Sequence, residues 1–139
     1  MPMAETLQTL GGTDAWVVHS RDGMDELSTM APADIAQLRG GSVNQITLDP
    51  KDYGFKPATL AALRGGDAAT NAGIIRLLLS GGAGALQDIV ALNAAAALVI
   101  AGHAADIAAG IATARNALNN GAAQAALDRL VAISNGKNQ

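Results

Sequence analysis

The chain has 139 residues, half of them apolar, enough to bury a core in one domain. Its formal charge of -3 and scattered Lys and Arg exclude the basic footprint of a nucleic-acid binder, and without cysteine it has neither disulfides nor thiolate metal sites. No charged n-region with a signal core is present, and the apolar run Ile89 to Ala101 is shorter than the roughly 20 residues of a bilayer span, so a cytoplasmic protein with no membrane partner is expected.

In chain order, Met3, Leu7 and Leu10 have the spacing of an amphipathic helix, and Gly11 stands where a helix end favours a left-handed residue. Ala15-Trp16-Val17-Val18 is a short apolar run that predicts a strand buried on both faces, as in a parallel sheet, with a strand-end loop over 19–22. Pro32 to Leu38 predicts one or two helical turns before Gly40-Gly41, and Val43 to Leu48 a partly exposed strand ended by Asp49-Pro50. From Pro57 on the signals are helical: a helix over 58–63 stopped by Gly65-Gly66, then one over 68–79 capped by Asp67, with Ile74, Leu77 and Leu78 on its apolar face. Leu86 to Ala101 reads as the most buried helix, Asp106 caps a helix to Asn119, and residues 122–133 close the fold before a frayed tail over 134–139. These elements describe a single, partial α/β domain over 1–139. Two strands alone make a poor sheet, so either chain preceding Met1 in a longer protein or a second copy is expected to complete it.

The densest polar cluster, Arg21-Asp22-Gly23-Met24-Asp25-Glu26, follows the first strand, and ligands of open α/β sheets collect at strand ends. Adjacent acids suit magnesium, a hard ion that takes one or two carboxylates and completes its shell with water and phosphate oxygens. Asp25 and Glu26 are the candidate ligands; neighbours on a regular strand point to opposite faces, so both can serve one site only from a loop or a helix start. The competing reading places the two acids in the first turn of a short helix, where carboxylates complement the dipole. Asn71 and Asn93 lie in apolar helices, where an unpaired amide costs on the order of 1–3 kcal/mol, so each is expected to make structural hydrogen bonds. His19 is read as a loop-orienting residue and His103 as a helix-end residue, since neither has a partner at metal-ligand spacing.

The run Trp16-Val17-Val18-His19-Ser20-Arg21-Asp22-Gly23-Met24-Asp25-Glu26-Leu27-Ser28 resembles the anthranilate phosphoribosyltransferase segment with a valine-rich strand, a His-Gly pair and Asp-Gly-x-Asp-Glu. The likeness continues in family order through 48–55, 63–72 and 88–98, and so covers essentially the whole chain. It implies the carboxy-terminal portion of the α/β domain of a nucleoside phosphorylase/phosphoribosyltransferase-like fold, with few strands followed by mostly helices. It further implies a Mg2+-dependent transfer of the phosphoribosyl group from phosphoribosyl diphosphate to anthranilate, in tryptophan biosynthesis, by a homo-oligomer such as a dimer. The family's metal-binding acids carry over to Asp25 and Glu26.

Two departures stand out. The family's His-Gly is His19-Ser20 here, and residues 84–88 lack the Gly-Pro and the basic residue common before that Asp. The resemblance places the family's glycine-rich diphosphate loop, second phosphate segment and anthranilate contacts upstream of this segment, so no catalytic residue is assigned and the chain alone is expected to be inactive. Gly11-Gly12-Thr13-Asp14 follows a helix and precedes a strand, the reverse of a phosphate loop; Gly65-Gly66-Asp67 is better placed but reads as a structural turn. The alternative function is a non-enzymatic module that self-associates through an open sheet edge or an uncovered apolar face.

Overall fold

The computed structural model describes residues 1–136. After the helix α1 (Pro2–Thr9) come three strands, β1 (Asp14–Ser20), β2 (Ala33–Arg39) and β3 (Ser42–Leu48), in an antiparallel sheet of order β1-β2-β3. Four helices follow: α2 (Ala68–Leu79), α3 (Ala85–Ile100), α4 (Ile107–Asn119) and α5 (Ala122–Ser134). Few strands then mostly helices is the expected mixed α/β order.

The sheet differs from expectation in two respects. Pro32 to Leu38 is not helical: Ala33–Arg39 is the central strand, with Ile35 paired to Val18 on one side and Ile46 on the other. Helix formers dominate this stretch, but two ladders and burial on both faces outweigh a propensity worth tenths of a kcal/mol per residue. The first strand is also not a buried parallel one. It pairs only with β2 among the described residues, runs antiparallel to it, and its apolar residues are half-buried.

Alternation explains which side chains go where. Val18, Ile35 and Ile46 form one cross-strand row, with Ala33 and Leu48 beside it, and this face packs on Leu92, Ala95 and Ala96 of α3 and Ile107 and Ile111 of α4. Leu38, on the opposite face of β2, is 1% exposed at the side that carries α1. The β2–β3 hairpin closes through Gly40 and Gly41 at φ 55° and 77°, the positive values that a two-residue turn matched to strand twist requires.

The helices largely follow expectation. Asp67 accepts from the Thr70 amide and Asp106 from that of Ala109, each at 2.8 Å, so both predicted caps form. α3 has more buried residues than any other helix. Two corrections apply. Residues 58–63 yield only a 3-10 turn over Leu60–Leu63, squeezed between Pro57 and Gly65-Gly66. In α2, Leu78 alone is buried; Leu77, assigned to the apolar face, is 67% exposed because only one line of the helix meets α4 and α5. Of the tail expected to fray, Ser134 ends α5, Asn135 caps it, and residues 137–139 lie outside the described residues. No helix among the described residues is long and apolar enough to cross a membrane.

Candidate metal-binding loop

Residues 21–32 link β1 to β2, and the loop is anchored at both ends of its acidic tip. At the β1 end the Ser20 amide donates to the Met24 carbonyl (3.2 Å), Gly23 donates to Ser20 (2.9 Å), and Asp22 Oδ1 accepts from the Met24 amide (3.2 Å). This is a side-chain-closed turn of the kind Asp favours. At the far end, Leu27 is 1% exposed in the main core, and Asn93 on α3 grips its backbone from both sides. Asn93 Oδ1 accepts from the Leu27 amide (3.0 Å) and its Nδ2 donates to the Leu27 carbonyl (2.8 Å). Asp25 and Glu26 are the two residues between these anchors; both are exposed, and neither lies in a helix, so the helix-start reading falls away.

The four acids around the loop have different fates. Asp34 is engaged by Arg21 through two bonds (2.7 and 3.1 Å) and by the Thr47 hydroxyl (3.1 Å); the Arg21 bond above all holds its carboxyl below the usual range. For Asp22, burial pushes the pKa up, but the hydroxyls of Ser28 and Ser20 and the loop amides outweigh it, and the net shift is downward. The hydroxyl oxygens of Ser20 and Thr29 are both buried and make no hydrogen bond of normal geometry. Glu26 moves the other way, raised first by partial burial and then by the charge of Asp25. Among the described residues, no cation pairs with Asp25 or Glu26 and no third His, Cys, Asp or Glu joins them in a metal-ligating group.

This loop-bearing fold matches, over residues 1–124, the glycosyl transferase family, a/b domain. The chain belongs to that family. It is 50% identical over 137 residues to the anthranilate phosphoribosyltransferase of Parvibaculum lavamentivorans, an alignment covering 99% of this chain and 40% of the relative. The crystal structure of anthranilate phosphoribosyltransferase from Thermus thermophilus superposes with a TM-score of 0.84 and 39% identity, over 94% of this chain and 38% of that one. The Saccharomyces cerevisiae enzyme in complex with PRPP and Mg shares the fold at a TM-score of 0.74 and 22% identity, over 84% of this chain and 34% of that one. The chain thus spans about 40% of the length of the curated relatives it matches.

Within this glycosyl transferase domain the other sequence candidates hold structural roles. The Gly11 and Gly12 amides donate to Gln8 and Leu7 at the end of α1, which leaves neither for an anion. The Gly66 amide donates to Asn71 Oδ1 (2.8 Å), and a side chain on Gly65 would sit 2.6 Å from that same oxygen, so Gly65-Gly66-Asp67 is a packed turn. His19 lies on β1 opposite Asp34 and not in the loop, while His103 follows α3 as expected and donates its amide to Leu98. Sequence reasoning assigned Asn93 a structural bond, which it makes, but missed that its partner is the acidic loop; a lone amide in an apolar helix was the only signal. It also missed Arg115, which bonds Asp88 at 2.7 Å and stands 5.5 Å over the Phe55 ring, joining α4, α3 and the segment after β3.

Proposed function

We propose that the chain is part of an anthranilate phosphoribosyltransferase, a portion of one α/β domain supplying the Mg2+ side of the site through Asp25 and Glu26. One observation carries this reading: in a family member whose relatives are such enzymes, two adjacent exposed carboxylates lack any internal cation while both neighbouring acids are engaged. Glu26 is raised first by partial burial and second by the charge of Asp25, and a bound dication relieves that repulsion; a loop presenting oxygens without a third protein ligand suits an ion that keeps water and phosphate in its shell. When bound, magnesium neutralises the charge that grows on diphosphate as it leaves the anomeric carbon. The work of this chain's residues is positioning: the Asp22 turn and the Leu27 anchor hold the carboxylates on the solvent side of the core, and the Arg21 guanidinium of the same loop is occupied by Asp34.

The substrates in the whole enzyme are phosphoribosyl diphosphate and anthranilate, the process is tryptophan biosynthesis, and the setting is cytoplasmic. The chain alone, with the metal side only, turns nothing over. Assembly as a homodimer is part of the same reading. It is supported by an apolar groove of about 540 Å3 between α3, α4 and α5, lined by Val90, Ala97, Leu98 and Leu118 among others.

Manganese as a paramagnetic stand-in tests the site on the isotopically labelled chain. Mn2+ should broaden the amide resonances of Asp25 and Glu26 first, and the double variant Asp25→Asn, Glu26→Gln should abolish the effect. Broadening that survives both substitutions, or that centres elsewhere, refutes the assignment.

A further inference from the structure

We infer that Asn93 is the positioning residue of the acidic loop, setting Glu26 and, through it, Asp25 by way of the Leu27 backbone; the metal consequence rests on the reading above. The Asn93 amide makes three of its four possible bonds, with both donors used: Oδ1 accepts from Leu27 N, and Nδ2 donates to the carbonyls of Leu27 and of Ile89, one turn back on α3, at 2.8 and 2.9 Å. Rotating the amide by half a turn would face an NH2 to an N–H and an oxygen to two carbonyls, so its orientation is unique. No other backbone bond holds Leu27 among the described residues. The base of the clamp is rigid, because α3 contributes Leu92 and Ala95, both 0% exposed, to the core that also receives the Leu27 side chain. Glu26 is bonded directly to the clamped Leu27, and Asp25 lies between Glu26 and the Met24 anchor. Loosening Asn93 therefore frees Glu26 more than Asp25. Supporting partners of this kind, one step removed from a metal, hold its ligands in orientation.

The test compares Asn93→Ala with Leu118→Ala, a core truncation in the second apolar cluster away from the loop. Asn93→Asp, which keeps an acceptor for Leu27 N but loses both donated bonds, serves as the second variant. Hydrogen exchange at the Leu27 amide and Mn2+ broadening at the Glu26 amide are read on the 139-residue chain. Both Asn93 variants should speed Leu27 exchange relative to the β2 amides, about tenfold for a lost buried bond. They should also raise the Mn2+ concentration for half-broadening by about tenfold, the low end of what loss of such a partner costs a metal site. Glu26 should be affected more than Asp25, and Leu118→Ala should change neither ratio. Unchanged Leu27 exchange, or equal weakening of Mn2+ binding by Leu118→Ala, overturns the inference. If the unsubstituted chain shows no broadening at the loop, the metal reading fails by itself. Leu27 exchange and the backbone order of Asp25 and Glu26 then decide whether Asn93 is the clamp.

Discussion

Asn93 and Asn71 grip backbone in the same manner, one amide oxygen taking an N–H and the amide nitrogen giving to the carbonyl of the same residue, yet they hold very different loops. Asn71 reaches back five residues to Gly66 at the start of its own helix, on an exposed surface. Asn93 reaches 66 residues, to Leu27, and is partly buried. The local clip closes a short segment at small entropic cost, and water can replace it; the distant one ties the acidic loop to the packing of the whole core. Order in the acidic loop is thus a property of how α3 sits on the sheet, whereas order at Gly66 belongs to one helix end.

The strongest way to break that difference is to displace α3. Gly110 on α4 lies directly against the α3 backbone: a Cβ there would lie 2.8 Å from the Ala95 carbonyl oxygen and 2.9 Å from its Cα, and backbone cannot yield as a flexible side chain can. Gly110→Val should destabilise the chain by about 3 kcal/mol, the upper part of the overpacking range, measured by urea unfolding. Amide exchange should then show Leu27 losing more protection than Gly66. Equal loss at both would mean that the two clips share one cooperative unit.

Removing the clips one at a time gives a smaller and cleaner contrast. Asn93→Ala leaves buried groups on Leu27 without partners and should cost about 1–3 kcal/mol. Asn71→Ala exposes its partners to solvent and should cost about 0.5 kcal/mol or less, as surface changes do. Unfolding curves for the two variants under one buffer decide it, and near-equal losses would remove the distinction between local and distant clamps.

The same contrast marks what the amino-acid order reveals. Caps, helices and the acidic pair are local, and Asp67, Asp106 and Asp25-Glu26 could be read within a few residues. The strand at Ala33–Arg39 could not. Its buried residues Ala33, Ile35, Ala36 and Leu38 lie on both faces, because α1 covers one side and α3 with α4 the other, so the alternation that marks a half-exposed strand is erased. Helix-forming Ala, Gln and Leu were left as the visible signal. The Asn93 clamp was hidden for a related reason: a sequence shows that an amide in an apolar helix needs partners but not that they lie 66 residues away. The acidic pair was legible from its motif, whereas the Asn93 support beneath it required the fold.

The smallest expected effects come from two carboxylates flanking the loop, and they have opposite signs. Asp34 is held below its ordinary range by the Arg21 bond, so the stability it contributes is present above the pKa of an unfolded aspartate and is lost as pH falls through its lowered native value. Glu26 is raised by burial and by Asp25, so the native state favours its protonated form; that contribution is full below the ordinary glutamate value and is lost as pH rises through the raised one. Urea midpoints followed across the carboxylate titration range should therefore show Asp34→Asn flattening the acid-side loss and Glu26→Gln flattening the loss on the rising side. Both changes should be modest, since Asp34 is solvent-screened and Glu26 only partly covered. A divalent cation sharpens the second case: Mn2+ bound between Asp25 and Glu26 favours the ionised pair, so it should reverse the Glu26 contribution while leaving the Asp34 profile unmoved. A Glu26 profile indifferent to Mn2+ would separate the raised pKa from any metal role and leave it as the plain result of crowding two acids beside a buried core.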